Sequence, residues 1–63
     1  MKFKDVKIGN IVKTMGTFGG YYLKLNNNFS HNSVSLERFS VGTIAEFFEL
    51  EDLGEIKLNE RNQ

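Results

Sequence analysis

The stretch Phe3-Lys4-Asp5-Val6-Lys7-Ile8-Gly9-Asn10-Ile11-Val12 decides the fold class of this chain. Apolar residues at 3, 6 and 8 lead into a Gly-Asn step, and Ile11 and Val12 resume directly after it. A looped lead-in, a glycine turn and a first strand is how a small β-barrel begins. The same stretch holds Lys2, Lys4 and Lys7 close to the apolar positions, so scaffold and charge are interleaved from the start.

Working outward, residues 11–15 suit the first strand. Gly16, Gly19 and Gly20 then supply the turn conformations of a hairpin. Tyr21-Tyr22-Leu23-Lys24-Leu25-Asn26 alternates, with Tyr21, Leu23 and Leu25 on one face and Tyr22, Lys24 and Asn26 on the other. The apolar set is expected to face inward. Asn26-Asn27-Asn28-Phe29-Ser30-His31-Asn32 reads as a loop, because Asn and Ser tolerate turn conformations and bond their own backbone. Ser33-Val34-Ser35-Leu36-Glu37 alternates again. Residues 42–48 read as a strand followed by a turn through Glu51-Asp52, with a short helix near 43–52 as the alternative. Thr43 and Glu46 have the spacing of a capping box. Gly54 precedes a last strand over 55–58, and 59–63 is a polar tail. The expectation is an all-β domain over 1–58: a small, closed or partly closed barrel of four to five short antiparallel strands. Its core is expected to be Phe3, Val6, Ile8, Val12, Leu23, Leu25, Val34, Leu36, Ile44, Phe47 and Ile56.

Sixty-three residues make one domain with a marginal core. Such domains lean on disulfides, metals or oligomerisation. The chain has no cysteine, which excludes disulfides and thiolate metal sites and leaves good packing or self-association. No apolar run approaches the ~18 residues of a membrane span. The chain reads as soluble and cytoplasmic, with no membrane partner.

The formal net charge is zero, yet the halves differ. Five lysines stand against Asp5 up to residue 36. Beyond it, Arg38, Lys57 and Arg61 stand against seven carboxylates. The halves either complement each other or steer charged partners.

Catalysis needs a nucleophile or a tuned acid–base pair. The one histidine, His31, sits alone in a polar loop, and one His without Cys supplies no usual zinc set. The carboxylates after residue 45 lack the spacing of a calcium loop. The glycines at 16, 19 and 20 lack the Gly-Lys-Ser/Thr of a phosphate loop. The reading is a non-enzymatic protein with no cofactor and no metal.

Two surfaces have binding chemistry. Glu46, Phe48, Glu49, Glu51, Asp52 and Glu55 mix carboxylates with an aromatic group. With Tyr22 and Phe29 as further anchors, they suit a partner protein with a basic site. Lys13, Tyr22 and Lys24, with Phe18 nearby, suit stacking and phosphate contact with a single-stranded nucleic acid. A third reading is a self-assembling structural protein, a homo-oligomer.

The pattern Phe-x-Asp-aliphatic-x-aliphatic-Gly-Asp/Asn, then Tyr-x-Lys-aliphatic, then Val-x-Leu is met by Phe3 to Val12, Tyr22-Leu23-Lys24-Leu25 and Val34-Ser35-Leu36. In this the chain resembles a loose group of small phage and prophage proteins with an SH3-like barrel, many of unassigned role. The chain departs from the group by placing Arg38-Phe39-Ser40-Val41 before Gly42. The resemblance implies a phage-encoded accessory protein that binds and disables a host protein, including one of a defence system.

Overall fold

The computed structural model describes residues 1–16 and 19–56. It is all-β. A 3-10 turn at Phe3–Asp5 precedes β1 (Asn10–Thr14), β2 (Tyr21–Lys24), β3 (Ser33–Ser35), β4 (Val41–Gly42) and β5 (Leu50–Glu55). These form one antiparallel sheet in the order β4-β3-β2-β1-β5. The sheet is open: β4 and β5 are its two edges, so the expected closure into a barrel is not met. The strands near 11–15, 21–26 and 33–37 stand where the alternation put them, slightly shortened.

The expectation for the region after Gly42 is corrected. Residues 43–49 form neither strand 42–48 nor a helix, and Glu51-Asp52 lies inside β5, not in a turn. The physical reason is that other partners take up this backbone. The Asn32 side chain is bonded to both backbone groups of Ile44: the Ile44 N–H donates to Oδ1 at 2.9 Å and Nδ2 donates to the Ile44 carbonyl at 2.9 Å. The lead-in then pairs with the next residues, Lys4 N–H donating to the Glu46 carbonyl and Phe3 N–H to that of Phe48, each at 2.9 Å. Of the expected last strand at 55–58, Glu55 belongs to β5, while 57–58 and the tail lie outside the described residues.

The core is small: Phe3, Val6, Val12, Ile44 and Leu50, with Tyr22 packed against it. Full burial of such side chains stabilises by about 1.5–3 kcal/mol each. Strand pairing sets Val12 opposite Tyr22, and Tyr22 opposite Ser35. Val12 is buried, so Tyr22 and Lys24 face inward with it, and Leu23 and Leu25 face outward. This reverses the expected orientation of β2. Leu23 and Val34 are half-buried on the outer face, as is Leu36 beyond the end of β3, while Leu25, Ile8, Phe47 and Ile56 are exposed; none of these belongs to the core.

The reason for the reversal lies in the lead-in. Its turn leaves carbonyls aimed at the inner face of β2, and Lys24 meets them. Lys24 is 1% exposed. Its ammonium donates to the Val6 carbonyl at 2.7 Å and the Phe3 carbonyl at 2.8 Å, and lies 4.6 Å from the Phe3 ring centroid. Its own carbonyl accepts the Gly9 N–H at 2.9 Å. Gly9 takes φ +96°, a conformation that glycine adopts without a Cβ penalty. A leucine at position 24 would leave the Val6 carbonyl without this donor, at about 1–3 kcal/mol for a buried acceptor.

Candidate functional site

An open groove of about 940 Å³ lies at one end of the sheet's inner face. That volume is in the upper part of the range typical of small-molecule and cofactor sites. Three pieces of chain form it. The end of β1 gives Thr14 and Met15. The inner face of β2 and β3, with the turn after β3, gives Tyr22, Ser35, Glu37, Arg38 and Ser40. The segment after β4 gives Thr43, Ile44, Ala45 and Phe48. Tyr22 and Ile44 join the groove to the core, Met15 and Phe48 are exposed apolar walls, and Glu37 and Arg38 bring both charges to it.

The β3–β4 turn is built to hold its residues in place. The Ser35 hydroxyl accepts the N–H groups of Glu37 and Arg38, at 3.3 and 3.2 Å. Phe39 N–H donates to the Ser35 carbonyl and Ser35 N–H to that of Ser40, both at 2.8 Å. Phe39 itself has φ +55° and is 82% exposed. The left-handed region costs a residue with a Cβ roughly 1–2 kcal/mol. The turn thus holds an aromatic side chain in water between two groove-lining residues, Arg38 and Ser40.

Of the residues singled out for partner binding, the structure brings Tyr22 and Phe48 together at this groove and disperses the rest. Phe29 is 89% exposed in the Asn-rich loop before β3 and is not among the residues that line the groove. That loop is self-bonded, with Asn28 N–H donating to Asn26 Oδ1 at 2.8 Å and Asn32 Nδ2 to the Asn28 carbonyl at 3.0 Å. Phe29 does not fold back as a lid.

The acidic segment does not form one patch. Asp52 is half-buried and accepts from Asn10 Nδ2 at 3.1 Å and from the Gly54 N–H at 2.9 Å. This braces the bulge where β5 carries the extra residue Leu53, with Gly54 at φ +89°. Glu49 pairs with the Met1 amino group at 3.2 Å. Glu51 points to the outer face opposite Lys13, and Glu55 lies opposite Asn10. Glu46 is exposed on the turn before Phe48. Phe47, 60% exposed, has the ammonium groups of Lys2 and Lys4 at 5.8 and 5.7 Å from its ring centroid. The basic lead-in and the acidic half therefore meet each other along this edge.

The three residues considered for nucleic acid do not share a surface. Lys13 is exposed on the outer face, 5.8 Å from the centroid of Tyr21. Tyr22 faces inward, and Lys24 is buried with its ammonium on lead-in carbonyls. Burial lowers the Lys24 pKa from its usual 10.5, against an opposing pull from Asp5. Phe18 lies outside the described residues.

Sequence reasoning missed Met15, Glu37, Arg38 and Phe39. A signal existed for the last two: an Arg-Phe pair just where the chain departs from the pattern it otherwise follows. Among the described residues no cluster of His, Asp or Glu is placed to hold a metal ion, and no helix is long and apolar enough to cross a membrane. Comparison with protein-family models, with curated proteins and with solved structures finds no match for this chain.

Proposed function

We propose that this protein is a non-enzymatic protein-binding module that takes a partner's segment into the groove between the β3–β4 turn and residues 43–48. The observation that carries the reading is the convergence of Tyr22, Phe48 and Met15 on one concavity edged by Arg38 and Glu37. Apolar anchors ringed by a few oriented charges suit a protein segment that inserts an apolar side chain and pairs its own charges at the rim. Phe39, held in water by a strained turn, adds an anchor at the same edge. The resemblance to small phage SH3-like proteins supports a finer reading, a phage-encoded inhibitor that occludes a bacterial host protein, including one of a defence system.

The test is capture from a bacterial lysate by native protein and three variants. Phe48→Ser and Arg38→Glu alter the groove, and Glu55→Gln lies outside it. The expected result is one protein retained by the native chain and Glu55→Gln and lost from both groove variants. Equal retention by all four, or retention by none, contradicts the groove reading.

A further inference from the structure

The outer face of the sheet carries a continuous apolar row. Strand pairing sets Ile11 beside Leu23, Leu23 beside Val34, and Val34 beside Val41, with Gly54 next to Ile11 on β5. Side chains paired across a ladder stand on the same face. A second row on that face runs from Glu51 through Lys13 to Tyr21.

In these rows Ile11, Leu23 and Val34 are half-buried, and Val41 and Tyr21 are exposed. Among the described residues twelve large apolar side chains are exposed, against five in the core, and Tyr21 and Val41 of these stand in the two rows. A short chain without cysteine and with so small a core is of the kind that oligomerisation completes.

We propose that this outer face is the contact between two copies of the chain, packed sheet on sheet. Charge chooses the occupant. Strand pairing sets Lys13 beside Glu51 on this face, and the whole chain is formally neutral. A patch bearing both signs meets its own copy without like-charge repulsion, which a two-fold contact requires. It offers no net attraction to an acidic or a basic surface. Sheets stacked face to face bury such rows as a common core. The groove lies on the opposite face and stays open, so the pair presents two grooves.

Size sets the strength. Five strands about 4.8 Å apart, with roughly 13 Å of usable strand length, give a face of roughly 250 Å² in projection. That is below the ~800 Å² per partner of a standard interface. The dimer is therefore weak, and its mass depends on concentration.

Sedimentation equilibrium of the full chain over a dilution series reads the dimerisation constant directly. The expected result is a shift from twice the chain mass to the chain mass on dilution. Leu23→Gln weakens the constant by roughly tenfold or more, since the change enters once from each copy. Lys13→Glu weakens it, and Lys13→Glu with Glu51→Lys restores it. Far-ultraviolet circular dichroism of each variant confirms that it is folded. A native chain that stays monomeric at the highest concentration overturns the proposal, as the result for a face covered by another protein or by the chain itself. A dimer indifferent to Leu23→Gln also overturns it.

Discussion

The two faces of this sheet invert the usual division of labour. The inner face buries Lys24, Asn32, Ser33 and Ser35 alongside its five apolar residues, while the outer face carries Ile11, Leu23 and Val34, half-buried, in a row with the exposed Val41. The inner polar groups are all bonded, with no buried side-chain donor or acceptor left unpaired among the described residues. Polar side chains can enter a core when the backbone around them offers partners. For Lys24 and Asn32 these partners include segments without regular structure, the lead-in and Ile44, while Ser33 bonds Gly42 and Ser35 bonds the turn after β3. Hydrogen bonding thus fastens irregular chain to the inner face, and the apolar character displaced by this stands outside.

If the faces divide the work this way, inner polar residues are worth more to folding than their type suggests. The largest effect is expected at Asn32. Asn32→Ala strips the buried Ile44 of both side-chain bonds and frees the Asn28 carbonyl. The expected loss is about 3–4 kcal/mol in urea unfolding. A loss below about 1 kcal/mol would mean that 43–49 is not held by this side chain.

Lys24→Met keeps the length of the side chain and removes the donor. It is expected to cost about 2–3 kcal/mol, since the Val6 carbonyl loses its ammonium partner inside the protein. The same comparison sharpens with pH. Burial lowers the folded pKa of Lys24 below 10.5, so between the two values the unfolded chain binds more protons. Stability of the native chain relative to Lys24→Met therefore rises as pH climbs from the lowered value toward 10.5, and is level below that window. A native-minus-variant difference that falls with rising alkaline pH would place Lys24 elsewhere. This is the smallest of the three effects.

The inversion also explains what could be read in advance. The lead-in, the first three strands, the hairpin glycines and the Asn-rich loop follow from local chemistry, and Phe3, Val6, Val12 and Ile44 are in the core as expected. The face of β2 was not legible. Its alternation allows two orientations, and hydrophobicity favours Leu23 and Leu25 inward. Only the lead-in carbonyls, brought there by the fold, select Lys24. Leu50 and the strand through Glu51-Asp52 were hidden for a like reason: Asp52 is stabilised in β5 by Asn10 and Gly54, contacts that no pattern within 50–55 displays. Of the residues lining the groove, Tyr22 and Phe48 were singled out by their residue types, whereas Met15 and Arg38 join them only through the folding of separate turns.

The orientation of β2 carries the whole distinction between the faces, and lysine labelling of the native chain tests it most directly. A brief acetylation pulse followed by peptide mass analysis compares Lys24 with Lys13, which stand on opposite faces of paired strands. The pulse is given to dilute, monomeric protein. The account expects Lys13 to react as a free lysine and Lys24 to react only through unfolding, with protection lost in urea. Lys24 reacting as fast as Lys13 in the folded chain would contradict it.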